Sequence, residues 1–157
     1  MARNLLVDLD SIDLDAREAD ITEIRKANRQ RYEMEQLNAI VKFDPEEGYV
    51  VALKEVSDDE FWVRGHIPGR PILPGVLICE CAAQTCSYYY MKTIGHESFL
   101  GFGGMDKVKF RDVVKPGDRL YIIAKPIDMR RRISRFQTQG VVDGKIVFEA
   151  EILGVIL

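Results

Sequence analysis

Val76-Leu77-Ile78-Cys79-Glu80-Cys81-Ala82-Ala83-Gln84-Thr85-Cys86-Ser87-Tyr88-Tyr89-Tyr90-Met91 runs without a proline or a glycine, and its small residues Cys79, Ala82, Ala83 and Cys86 recur at helical spacing. Glu80 and Gln84, its polar exceptions, stand one turn apart on a single face. Pro74, just upstream, suits the first turn of a helix, where its missing N–H costs nothing. The expected helix covers residues 74–92. A solvent-facing helix would be amphipathic, so one this small-sided and apolar must be wrapped by other elements.

The flanking sequence supplies the wrapping. Upstream, Leu37 to Phe43 and Tyr49 to Val56 are strand-like and flank the turn-rich Asp44-Pro45-Glu46-Glu47-Gly48, a hairpin signal. Downstream, Phe99 to Phe110, Arg119 to Lys125, Arg132 to Val142 and Lys145 to Ile156 are each β-rich. They are separated by Lys115-Pro116-Gly117-Asp118, by the Pro126–Met129 segment and by Asp143-Gly144, a type I′ turn signature. The plan is hairpin, one apolar helix, then a four-stranded antiparallel meander over residues 98–156. One antiparallel sheet curled around one helix is an α+β architecture, the hot-dog fold. Residues 1–34 form a charge-rich, glycine-poor N-terminal extension, in which Asp20 and Glu23 resemble a capping box before a helix near 20–32. The expected role of that helix is to cover one end of the domain.

A chain of 157 residues fits one domain with a substantial core. Its formal charge of −3 gives no sign of a nucleic-acid partner. No apolar run approaches the roughly 18 residues of a membrane span, and the N-terminus turns acidic too soon for a secretory signal, so a cytoplasmic protein is expected. Cys79, Cys81 and Cys86 form neither a disulfide framework nor a zinc pattern and read as small buried residues in a reducing compartment.

Between the hairpin and the helix lies Gly65-His66-Ile67-Pro68-Gly69-Arg70-Pro71-Ile72-Leu73-Pro74-Gly75, whose prolines forbid both helix interior and central strand. The pattern Gly65-His66-x-Pro68-Gly69-x-Pro71-x-x-Pro74-Gly75-Val76-Leu77-x-x-Glu80-x-x-Ala83-Gln84 resembles the signature of the FabZ-type 3-hydroxyacyl-acyl-carrier-protein dehydratases. Val108-Lys109-Phe110-Arg111, Val114-Lys115-Pro116-Gly117-Asp118-Arg119-Leu120 and Val142-Asp143-Gly144-Lys145 with Glu149-Ala150-Glu151 resemble that family's later blocks, so the likeness runs from Gly65 to the C-terminus. Departures lie mainly upstream: Gln30-Arg31-Tyr32-Glu33-Met34 stands where the family usually has His-Arg-Tyr-Pro-Phe. Ile67 replaces the commoner Phe, and Arg70 the common His. These positions bear on chain-length preference and dimer contacts, not on the expected catalytic pair.

The resemblance implies dehydration of a (3R)-hydroxyacyl thioester of acyl carrier protein to the trans-2-enoyl thioester. It also implies catalysis by His66 and Glu80 from opposite subunits of a homodimer, which in the family is often one of three in a trimer of dimers. The residue chemistry agrees. Imidazole titrates near about 6.5 and offers a neutral base for the Cα proton. The unpaired N–H groups at Gly75 and Val76 would hold negative charge on the thioester oxygen, with Gly75 admitting the substrate to the backbone. A carboxyl among apolar neighbours keeps its proton, so Glu80 suits protonation of the leaving hydroxyl, oriented by Gln84. Glu80 lies roughly 9 Å along the helix from Pro74, which favours a site shared between chains. Ile67 and Phe110 complete the expected substrate contacts. No metal or organic cofactor is called for.

Other readings stand beside these. Glu80 could form a structural ion pair with Arg64 or Arg70. Tyr88-Tyr89-Tyr90 reads as core and interface packing, although one ring could wall an acyl tunnel. Arg130, Arg131, Arg132 and Arg135 form either a solvated strand edge or a dock for acidic acyl carrier protein. His96 reads as a structural or surface histidine. The alternative functions are a hot-dog thioesterase or isomerase and a non-catalytic acyl-thioester-binding subunit.

Overall fold

The computed structural model describes residues 4–95, 97 and 99–157; His96 lies outside the described residues. In chain order the elements are α1 (Ile21–Ala27), β1 (Ala39–Asp44), β2 (Tyr49–Glu55), α2 (Gly75–Thr93), β3 (Leu100–Phe110), β4 (Arg119–Met129), β5 (Ile133–Val142) and β6 (Lys145–Ile156). Short 3-10 turns at Leu9–Ser11 and Tyr32–Met34 punctuate the N-terminal segment. Pro74 caps α2 rather than entering it, in extended conformation, and the Leu77 and Ile78 N–H groups close onto its carbonyl.

The six strands form one antiparallel sheet in the order β1-β2-β4-β5-β6-β3. This corrects the expected four-stranded meander. Only β4, β5 and β6 follow one another in space; β4 pairs with β2, and β3 crosses to the far edge beside β6. Local alternation cannot reveal such a crossover, because β3 alternates in the same way whichever neighbour it takes. A second correction concerns residues 126–129. They continue β4 instead of breaking it, because a register shift between Pro126 and Asp128 accommodates the proline. Asp143 and Gly144 both have positive φ, at 48° and 75°, as the β5–β6 turn requires.

The sheet's inner face wraps α2. Val50, Ala52, Leu120, Ile122, Ala124, Phe136, Phe148 and Ile152 meet the helix in one buried cluster, and α2 is buried nearly all round, including its polar Gln84, Thr85 and Ser87. The three tyrosines are core. Tyr88 and Tyr89 pack edge-on against Phe43 at 5.8 and 5.5 Å between ring centroids. Tyr90 donates its hydroxyl to the Arg131 carbonyl at 2.6 Å, holding the β4–β5 turn.

The opposite sheet face is also apolar: Val41, Val51, Leu53, Tyr121, Ile123 and Val141 alternate with the inward residues. The N-terminal segment lies across it. Leu9 is buried there, with Leu5, Leu6, Val7, Ile12 and Leu14 packed alongside. Leu6 N–H donates to Gln139 Oε1 at 2.7 Å, and Asp15 pairs with Arg119 at 3.2 Å. The segment is thus a strap over the outer face of the sheet. Asp20 does cap α1, accepting from the Glu23 N–H at 3.0 Å, but that helix stops at Ala27 instead of continuing to residue 32.

Leu9→Ala should lower the free energy of unfolding by about 2 kcal/mol, the low end for a buried leucine because the strap can partly settle into the gap. Urea unfolding checks this; an unchanged midpoint would mean the strap adds nothing to stability.

Candidate active site

The loop from Val56 to Pro74 is pinned at both ends. Val56 N–H donates to the Asp118 carbonyl at 3.0 Å, and Leu73 N–H donates to the Val114 carbonyl at 2.6 Å. Between them Trp62 is buried, and its carbonyl accepts the His66 N–H at 2.7 Å. The His66 side chain is half-buried, with Nδ1 2.7 Å from the Ile72 carbonyl. A carbonyl only accepts, so Nδ1 carries the proton in the neutral ring, and the Nε2 lone pair is left for a proton from elsewhere. Ile67 follows with φ +57°, a left-handed conformation that a β-branched side chain adopts at a cost on the order of 1–3 kcal/mol. The Arg70 N–H bond to the Ile67 carbonyl at 2.9 Å helps hold it, and leaves the Ile67 side chain exposed.

At the start of α2, no side chain caps the helix, and the first N–H groups bonded to Pro74 are those of Leu77 and Ile78. The Gly75 and Val76 amides therefore stay open among the described residues, beside a Val76 side chain that is 73% exposed. Gly75 also has a steric reason within the chain itself. A Cβ there would stand 2.9 Å from the Phe110 ring, so the missing side chain admits Phe110 from the end of β3.

Glu80 faces a cleft between α2 and the sheet, lined also by Gln30, Ala83, Leu100, Phe102 and Leu153. Burial pushes its carboxyl above the ordinary 4.5, opposed in part by a hydrogen bond from Gln84. Gln84 Nε2 donates to Glu80 Oε1 at 2.8 Å and to the Met34 carbonyl at 2.7 Å, while its Oε1 accepts the Gln36 N–H at 3.1 Å. With every polar atom of this side chain committed and only 2% of the residue exposed, Gln84 anchors Glu80. This is the geometry of an orienting partner, beside its expected place among substrate contacts. Asn28 Nδ2 also reaches the Gln84 carbonyl, at 3.0 Å, so residues 28–36 clamp this part of α2. Sequence reasoning missed the clamp because its bonds run largely through main-chain atoms. Among the described residues Glu80 makes no ion pair with Arg64 or Arg70, and no hydrogen bond joins it to His66 of the same chain.

The four arginines divide. Arg130 pairs with Asp128 at 2.9 Å and Arg135 with Glu151 at 3.7 Å. Arg131 and Arg132 are exposed at the β4–β5 turn with no ion-pair partner among the described residues.

The raised Glu80 carboxyl sets a sign for pH dependence. The folded protein binds this proton more tightly than the unfolded chain does, so Glu80 costs stability as pH rises from about 4.5 through its higher folded value. Glu80→Gln removes that cost, and its stability relative to the native protein should grow over that interval. Chemical unfolding at successive pH values checks this; parallel profiles would mean that the folded carboxyl is not raised.

Comparison with known proteins bears on the whole arrangement. The FabA-like domain model matches residues 28–151. A protein of Coxiella burnetii named 3-hydroxyacyl-[acyl-carrier-protein] dehydratase FabZ is 33% identical over 138 residues, covering 85% of this chain and 96% of that one. Its namesake from Shewanella woodyi is 38% identical over 137 residues, covering 85% and 90%. Among solved structures, the dehydratase heterocomplex ApeI:P from Xenorhabdus doucetiae superposes with a TM-score of 0.73 at 14% identity, covering 85% of this chain and 90% of that one. A mutant thioesterase PA1618 from Pseudomonas aeruginosa gives 0.68 at 14% identity, covering 92% and 99%. The two superpositions speak to the fold, and a hot-dog domain accommodates both chemistries. The sequence matches decide the family: this chain belongs to the FabA-like domain family.

Proposed function

We propose that the chain dehydrates 3-hydroxyacyl-acyl carrier protein to the trans-2-enoyl thioester in fatty acid or related lipid synthesis. The observation that carries this reading is the desolvated Glu80 carboxyl. A dehydratase needs a proton donor at the leaving hydroxyl, and burial of Glu80 in its cleft, held by Gln84, shifts the carboxyl in that direction. His66 Nε2 takes the Cα proton, and its tautomer is set by the Ile72 carbonyl. The Gly75 and Val76 amides hold the negative charge that develops on the thioester oxygen. As the Cβ–O bond breaks, Glu80 gives its proton to the departing hydroxyl, which leaves as water. The proton on His66 then passes back to Glu80 through solvent, restoring both groups.

The working unit in this proposal is a homodimer paired along β3. That strand is a sheet edge with exposed Phe102, Met105 and Phe110, an arrangement that invites another strand. Its two ends hold different halves of the chemistry. Phe110 covers the start of α2, next to the His66 loop, while Leu100 and Phe102 line the Glu80 cleft. Antiparallel pairing of two β3 strands about a two-fold axis near Asp106 sets residue 110 of one chain opposite residue 102 of the other. One subunit's His66 then approaches the partner's Glu80. Arg131 and Arg132 supply free cations for docking the acidic carrier. The three free, buried thiols fit the reducing cytoplasm, where we place the enzyme.

Hydration of a crotonyl thioester tests the chemistry. The native protein should be active, and His66→Ala should reduce the rate by roughly 10²–10⁴. Equal rates in the two proteins would remove His66 from the mechanism, and thiol release without hydration would make the chain a thioesterase. Reversal of both Arg131 and Arg132 to Glu should raise KM for carrier-bound substrate while sparing small thioesters. An unchanged KM for both would leave these arginines as solvated surface.

A further inference from the structure

One buried cation has no part in the chemistry above. Lys54, inward on β2, is 3% exposed in its side chain, and its Nζ lies 2.6 Å from Glu60 Oε1. Removing an ammonium from water is costly before any attraction is counted, and apolar residues of similar volume often serve stability as well or better. What distinguishes this pair is where its acid leads. Glu60 Oε2 accepts the Ser57 N–H at 3.0 Å, and the Glu60 carbonyl accepts the Val63 N–H at 3.1 Å. One turn on, the Trp62 carbonyl accepts the N–H groups of Gly65 and His66 at 3.2 and 2.7 Å. The Trp62 indole is buried, and among the described residues its Nε1 has no hydrogen-bond partner, so the contacts that seat it there are packing contacts. The ion pair supplies the directional bond between this turn and the sheet. It also lies under the catalytic helix: the Cys81 thiol, pushed up to about 12 chiefly by burial, senses Lys54, Glu80 and Glu60.

We infer that Lys54 and Glu60 are a positioning pair for the dehydration, fixing the turn from which His66 is hung and so the aim of its Nε2. The inference rests on the proposed role of His66 as the base. Reaction rate is steep in such alignment: a displacement of about 1 Å can cost on the order of 10²-fold. Stability is not, because the strand and the indole remain packed without the charges.

The test replaces both charges at once, since Lys54→Met alone would leave Glu60 unpaired and could unfold the chain. Lys54→Met/Glu60→Met should melt within a few degrees of native, keep KM for a crotonyl thioester within about twofold, and lose about 10- to 100-fold in kcat. Glu60→Asp keeps the charge but draws the bridge short, and should give a smaller loss of kcat. Imidazole ¹⁵N spectra give a second readout, since the chain has only two histidines, His66 and His96. Native His66 should show the Nδ1–H tautomer, and the double variant a mixture. Native kcat in the folded double variant, or in folded Glu60→Asp, would overturn the positioning role, as would an unchanged tautomer. If the native protein itself proves inactive, or His66→Ala keeps the native rate, the proposed function has failed instead.

Discussion

A helix enclosed by a sheet has no water to fall back on, and the rest of this molecule follows from that constraint. Each polar group on α2 needs a partner within the protein or must keep its proton. Thr85 takes the first course by returning its hydroxyl to the Cys81 carbonyl at 2.7 Å. Gln84 does so by spending both donors and its acceptor on the N-terminal segment and Glu80. Glu80 leans toward the second course: burial pushes its carboxyl upward, and the hydrogen bond from Gln84 only partly opposes this. The enclosure that makes the core thus also pushes this carboxyl toward its protonated form.

The same logic separates the tasks of the first two turns of the helix. The Gly75 and Val76 amides stand uncapped at its N-terminus, while Glu80, little more than one turn further on, faces the cleft between α2 and the sheet. The loop before it is built stiffly, with Pro68, Pro71 and Pro74, a strained Ile67 and a ring fastened to the Ile72 carbonyl. Strain of this kind persists only where the surroundings over-determine the backbone, and here they include main-chain bonds at both ends and a buried ion pair near the middle.

Much of this was legible before any coordinates. The proline-free apolar run set α2 to within a residue at each end, the Asp-Gly pair set the last hairpin, and Asp20 with Glu23 marked the start of α1. The reading of His66 and Glu80 depended on the spacing of prolines, glycines and helix residues. What stayed hidden was non-local. Nothing in residues 100–110 says that they skip β4 and lie beside β6, since alternation records faces and not neighbours. The clamp on Gln84 uses the Met34 carbonyl and the Gln36 amide, and a main-chain atom carries no mark in the sequence. Lys54 looks like any strand lysine until its neighbours are seen, and the bulge at Pro126 let a proline sit where a strand was expected to stop.

The N-terminal strap has a further consequence for architecture. A sheet with two oily faces would ordinarily pair with a second sheet, back to back, and several copies could pile into layers. Here the chain lays its own leucines over that surface, so the outward side of the sheet is already upholstered. With that surface covered, the main-chain groups of the sheet's edge strands, β1 and β3, are left as its boundary.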